Sequence, residues 1–468
     1  MVFSSATFIF VFMPIIMIAY LVTPKKFRNV TLFLSGLIFY AWGEFAHIYF
    51  IIITMIVDYF CGMMMKKSGN DRKKKKVFFL LPLIINFGLL GVFKYSSFVV
   101  TTINSIFKTS IPDPNMPLPV GISFYTFCSA SYIIDVYLDK TSAETNFIDY
   151  GAYLTMFPKI LMGPIAQYKQ IFGDLKGRSI TYDKISDGVV LFIRGLAKKV
   201  LLSETIGGLW ITIKELHIND LSIGLAWMGI IAYAFNLYLD FSGYSDMARG
   251  LGLMLGFDLP INFNYPYMAT SISDFWRRWH ITLGAWFKEY IYIPLGGNRV
   301  GKPKLIRNLL IIWMLTGLWH GASWNFVVWG LYFGLLIVFE RMFLGKYLEK
   351  LPVILRRVYS FLLVLLGWVM FDFTSIVDIV NFFGAMFGVN KKGVFDTMFW
   401  YYLGSYAIIF IICAICSTDL IRRFGKWLKE SYSLIYNIVE PVAYIAMFLV
   451  SISYLVEATN SPFLYFKF

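Results

Sequence analysis

Charge is scarce in this chain, and so are cysteine and histidine. Only 15% of the 468 residues are Asp, Glu, Lys or Arg, whereas 58% are hydrophobic, with 46 Phe, 30 Tyr and 13 Trp. With a mean hydropathy of +0.66, that balance excludes the soluble classes. It fits an all-α polytopic membrane protein of about 10–12 transmembrane helices with aromatic belts. Cys61, Cys128, Cys413 and Cys416 lie in or beside apolar runs without His or Cys partners, so they read as small core residues. No metal site and no tightly bound cofactor are expected. No internal repeat, low-complexity tract or soluble domain interrupts the chain, and 1–468 reads as one integral-membrane domain. The first apolar run, residues 6–22, lacks a basic n-region and a cleavage site and reads as a first span.

The net charge of +14 would suggest nucleic acid in a soluble protein. Here the Lys and Arg cluster in short loops between apolar runs, as the positive-inside rule requires, so no nucleic-acid role is expected. Residues 66–76 hold seven basic residues and one acidic. Two crossings separate them from Lys25, Lys26 and Arg28, which predicts both clusters in the cytoplasm and the N-terminus outside. Residues 157–168, broken by Pro158, Gly163 and Pro164, are expected to wall a reaction chamber. Asp135 is expected to face the bundle interior as a structural hydrogen-bonding group. Arg194, Lys198 and Lys199 could meet donor phosphates or snorkel to the interface, and Asp246 with Arg249 could form an i, i+3 pair.

The most informative stretch is 271–325. Two of the four histidines, His280 and His320, lie in it, each directly after a tryptophan. Histidine suits proton transfer near neutral pH, and an ionisable side chain inside an apolar, membrane-length run is a functional candidate. The competing reading is a core histidine bonded to a nearby carbonyl. Gly317 and Gly321 would let an acyl chain or a second backbone approach His320 closely. Ser271-x-x-Asp274 predicts a capped helix start, with Asp274 and Arg278, and Trp276 and His280, one turn apart. Residues 271–295 are too polar to cross lipid and too aromatic for a free loop, which predicts an interfacial or re-entrant helix pair. Basic clusters on both sides require 309–340 to go out and return, turning near His320.

D-F-W-R-R-W-H (274–280), Y-I-P-L-G-G-N-R (292–299) and G-L-W-H-G-A-S-W (317–324) together resemble the membrane-bound O-acyltransferase family, and within it the alginate O-acetyltransferase branch. P-V-G-I-S-F-Y-T-F (119–127), N-F-N-Y-P-Y (262–267) and the tail S-P-F-L-Y-F-K-F (461–468) extend the likeness over most of the chain. Where the family usually has arginine and aspartate, this chain has Lys288 and Glu289.

The resemblance implies an O-acyltransferase of the bacterial plasma membrane. His320 would be the essential base, His280 its assistant, and Tyr465, in the aromatic tail, an acyl relay or else part of an interfacial anchor. Ser323 and Asn325 would be candidate oxyanion contacts. Arg277 and Arg278 would hold donor phosphate or anchor the interface, and Trp319 and Trp324 would line the substrate. The donor would be acetyl-CoA or another acyl thioester, and the partner an extracytoplasmic SGNH-type transferase carrying Ser, His and Asp. D-alanyl transfer to teichoic acid is the nearest alternative. A transporter or flippase for a polyprenyl-linked sugar is the alternative of another class.

Overall fold

The computed structural model describes residues 2–457, and among them there is no strand. Seven helical stretches are long and apolar enough to cross a membrane: Lys25–Lys67, Arg72–Phe107, Ile223–Met254, Trp324–Leu348, Val353–Asp372, Thr397–Cys416 and Ser433–Val456. Shorter apolar helices at Phe8–Val22 and Ile376–Met386 stand beside them. The chain is an all-α, multi-pass membrane protein. It forms two compact units, Met1–Phe192 with Ser245–Ile261, and Ile193–Tyr244 with Asn262–Phe468.

The first unit contains α1 (Met13–Val22), α2 (Arg28–Glu44), α3 (Ile48–Lys67), α4 (Arg72–Phe107), α5 (Ile122–Tyr137), α6 (Phe147–Thr155), α7 (Tyr168–Gly177) and most of α8 (Tyr182–Ala197). The basic stretch 66–76 covers the end of α3, the turn 68–71 and the first residues of α4, where the Asp71 side chain accepts from Lys73 N and Lys74 N and so starts α4. Phe8, Phe12, Phe39 and Phe157 form a ring-to-ring core. A deep polar cluster around Asp58 is bonded within itself, as a low-dielectric interior favours. Asp58 accepts from Asn86 Nδ2 at 2.9 Å and Tyr150 OH at 2.7 Å, and Thr54 Oγ1 donates to Asn86 Oδ1 at 2.9 Å. Asp135 is fully buried, with Lys169 Nζ at 3.5 Å.

Residues 156–167 leave the helical pattern yet are buried throughout. Irregular backbone survives at such depth only when packed inside protein. Lys159 in this stretch donates to Cys128 Sγ at 3.5 Å and lies 4.1 Å from the Tyr153 ring centroid. Burial pulls its pKa down.

The second unit continues with α9 (Glu204–Lys214), the larger part of α10 (Ile223–Met254), α11 (Ile272–Arg278), α12 (Ile281–Phe287), α13 (Lys302–His320), α14 (Trp324–Phe339), α15 (Gly345–Leu348), α16 (Val353–Asp372), α17 (Ile376–Met386), α18 (Thr397–Cys416), α19 (Leu420–Ser431) and α20 (Ser433–Glu457). Its apolar core joins α9, α10, α13, α14, α16 and α17. Lys199 corrects a sequence expectation. It neither snorkels nor faces outward, but is buried with its Nζ 2.6 Å from Asp240 and 3.5 Å from Glu204. A buried cation needs such a partner to offset its lost hydration.

Helices α13 and α14 form the expected hairpin. Gly301 precedes α13 in an extended conformation, with Pro303 in the first turn, and extended Gly321 ends the helix at His320. Extended Ser323 then opens α14. The helices touch backbone to backbone because Gly317 and Gly330 oppose each other. A Cβ on Gly317 would collide with the Phe326 carbonyl, and one on Gly330 with the Trp313 carbonyl. At Gly317 a second backbone makes the foreseen close approach, whereas Gly321 lies against the Phe326 ring.

Candidate active site

Two short helices carry His280. Ser271 caps α11 through its Oγ, which accepts from Asp274 N at 3.0 Å, while Asp274 Oδ2 accepts from Thr270 N at 3.1 Å. A distant carboxylate completes the helix start. Glu340, buried at the end of α14, accepts from Ile272 N at 2.6 Å and from Ser273 N and Ser273 Oγ, each at 3.0 Å. Negative charge at a helix N-terminus satisfies free N–H groups and complements the dipole.

Between α11 and α12 the chain passes through His280 in the left-handed region, with φ +44° and ψ +52°. For a side chain other than glycine this costs roughly 1–2 kcal/mol, so the surroundings must enforce it. Residues 262–264 do so. Asn264 N donates to Arg278 O and Ile281 N to Asn262 O, each at 2.9 Å. The Asn262 side chain adds three contacts through Oδ1: Thr282 N at 3.2 Å, Thr282 Oγ1 at 2.9 Å and His280 Nδ1 at 3.2 Å.

These contacts fix the imidazole tautomer. Asn262 Oδ1 can only accept, so the proton between it and the ring sits on Nδ1. Nε2 is then the bare nitrogen, and it is buried without a hydrogen-bond partner. Burial pushes the His280 pKa down to about 3, so the ring is neutral throughout the physiological range. The Phe241 ring packs edge-on at 4.8 Å.

His320 is the last residue of α13 and is buried. Trp319, Trp329 and Phe371 wall its ring at centroid distances of 5.0, 5.0 and 5.2 Å, all near perpendicular. Trp319 also contacts His280, at 5.8 Å. One indole therefore touches both imidazoles, forty residues apart in sequence. Trp329 is fully buried and its Nε1 has no acceptor. A buried donor left unpaired costs about 1–3 kcal/mol, and an incoming carbonyl oxygen would relieve that cost.

His280, His320 and Trp319 are thus brought together. Ser323 Oγ and Asn325 Oδ1 bond to each other, and Asn325 Nδ2 donates to Met370 O at 3.2 Å, which ties the hairpin turn to α16. Arg277 is 72% exposed and Arg278 31%, and both pair with Asp274, at 3.5 and 3.1 Å. Trp324 is exposed. Tyr465 lies outside the described residues. Asn262, Trp329 and Phe371 were not singled out as site residues from sequence. Asn262 does open the N-F-N-Y-P-Y stretch, which was noticed only as part of a likeness.

A buried pair of imidazoles stands beside an unpaired indole donor, groups whose chemistry suits proton transfer and hydrogen-bond donation. The chain belongs to the membrane-bound O-acyltransferase family, whose model matches residues 138–348. It is 37% identical to a probable alginate O-acetylase of Azotobacter vinelandii over 85% of this chain and 80% of that protein. It is 38% identical to the corresponding Pseudomonas aeruginosa protein over 83% and 75%. A peptidoglycan O-acetyltransferase of Helicobacter pylori is 33% identical over 83% and 80%. A teichoic acid D-alanyltransferase of Streptococcus thermophilus is 28% identical over 48% and 58%. The protein is a membrane O-acyltransferase.

Proposed function

We propose that this acyltransferase moves an acetyl group from a cytoplasmic thioester, such as acetyl-CoA, across the membrane to an extracytoplasmic partner transferase that O-acetylates a cell-envelope polysaccharide. The observation that carries the catalytic part is the bare, buried Nε2 of His280 held by Asn262, with Trp319 shared between it and His320. An acetyl rather than a D-alanyl group is favoured by likeness to O-acetylating relatives over most of the chain, against about half for the D-alanylating one.

In this mechanism His320 takes the proton of the acceptor hydroxyl as its oxygen attacks the thioester carbonyl. The C–S bond then breaks, and the departing thiolate takes up a proton. Trp329 Nε1 donates to the developing oxyanion. His280 accepts a hydrogen bond through Nε2 and orients the hydroxyl. Ser323 and Asn325 hold the turn that aims His320. Tyr465 is the first acceptor, becoming an acetyl ester that the partner relieves.

The test is transfer of labelled acetyl from acetyl-CoA by purified protein, with and without its partner. Label should appear on the chain alone and be lost in Tyr465→Phe, which keeps the ring and removes only the hydroxyl. Polysaccharide acetylation undiminished by Tyr465→Phe would rule out the relay, and labelling by D-alanine in place of acetate would overturn the donor.

A further inference from the structure

Helix α19 differs from every span around it. Ser417, Thr418 and Asp419 separate it from α18 and Tyr432 separates it from α20, and both neighbours are long and apolar enough to cross a membrane. A twelve-residue helix fixed to the ends of two spans must lie at the level of the bilayer surface. Its sequence suits that position. Leu420, Ile421, Phe424, Trp427 and Leu428 recur at helical spacing on one face, and the first four are exposed at 50–60%. Arg422, Arg423, Lys426 and Lys429 occupy the opposite face.

We propose that α19 is a docking surface for anionic phospholipid headgroups, with its apolar face sunk into the acyl boundary and its cations holding headgroup phosphates. The exposed aromatic pair Phe424 and Trp427, at 5.6 Å, is the kind of amphipathic anchor an interface selects. Asp419 pairs with Arg423 at 2.7 Å and lies 3.9 Å from Arg422, and Glu430 is 3.7 Å from Lys426. Two acidic residues against four basic ones leave the helix net positive. Arg422, Arg423 and Lys426 keep 69–75% of their side-chain surface exposed. Arg422 also lies over the Tyr265 ring at 5.6 Å, while most of its side chain stays exposed.

The full-length protein in lipid nanodiscs provides the test. The fraction of spin-labelled phosphatidylglycerol immobilised by wild type should exceed that of spin-labelled phosphatidylcholine. The Arg422→Gln/Arg423→Gln/Lys426→Gln/Lys429→Gln variant should lower that preference at least roughly twofold, since each Lys or Arg at an anionic surface is worth about fivefold. An unchanged preference would overturn the proposal. So would a variant with a raised KM for the acyl donor and an intact lipid preference, which would assign the cations to donor phosphates. Should the variant fail to fold, a nitroxide at Gly425→Cys in a chain without its other cysteines gives an independent measurement. A side chain there meets nothing within 4 Å. Accessibility to oxygen and to a polar nickel reagent should place the label at headgroup depth, and a label in bulk water would overturn the proposal.

Discussion

The Asp58 cluster of the first unit and the His280–His320 cluster of the second are both deep polar groups on apolar helices, yet they are completed differently. Asp58, Asn86, Tyr150 and Thr54 spend their bonding capacity on one another. Around the histidines, His280 Nε2 and Trp329 Nε1 have nothing to bond to. An unmade hydrogen bond in the interior is costly, so a fold that retains two beside a pair of imidazoles holds capacity for a ligand. The Asp58 cluster is satisfied from within, and the histidine cluster is not.

The sharpest break of that comparison is to delete one member of each cluster. His320→Ala should abolish acetyl transfer while leaving the detergent melting temperature near wild type. Asp58→Ala should instead cost about 1–3 kcal/mol of stability, because Tyr150 and Asn86 lose their acceptor, with per-molecule turnover retained. Thermal melts run alongside labelled-acetyl assays separate the two. A stable, inactive Asp58→Ala protein would erase the distinction.

Next in size, His280→Ala should lower kcat by roughly 10²–10⁴-fold, the range for a proton-transfer or orienting group. The same residue has a stability signature. Its folded pKa of about 3 lies below the ordinary 6.5, so below pH 6.5 the unfolded chain binds a proton that the folded one refuses. This contribution is fully present above pH 6.5 and is lost as pH falls toward 3. Melting temperature measured against pH should therefore be flatter in His280→Gln than in wild type.

Trp329→Phe keeps an aromatic ring beside His320 but removes the unpaired N–H together with part of the buried indole. It should reduce kcat by about 10²-fold with KM little changed, as expected for a lost oxyanion donor. A rise in KM alone would make the indole a ground-state contact. The smallest effect is expected of Asn262→Asp, which preserves the acceptor for His280 Nδ1 but gives it charge. The imidazole pKa should rise, and the fall of transfer with decreasing pH should set in at a higher pH than in wild type.

Much of the fold was legible because its signals are local. The basic turn after α3 and the Ser271 cap follow from residues within a few positions of one another, and the reversal at His320 follows from the basic clusters that flank 309–340. The site was legible in its histidines and less so in what completes them. Asn262 reaches His280 across eighteen residues, and Phe371 reaches His320 from another helix. Pairings of that kind leave no periodicity to read. Lys199 was misplaced for the same reason. Its partner Asp240 sits on a different helix, so the lysine's own surroundings in sequence suggested only a cation near an interface.

Glu340 has a consequence for how the protein is made. The carboxylate that starts α11 is supplied sixty-eight residues after Ile272, the first residue of that helix. Alone, a seven-residue helix is too short to persist. As the chain leaves the ribosome, the segment leading into His280 must therefore wait until α13 and α14 have been synthesised and inserted. Helix α11 therefore gains its last N-terminal partner no earlier than the end of α14, and a nascent chain stopped before Glu340 carries His280 and His320 without it.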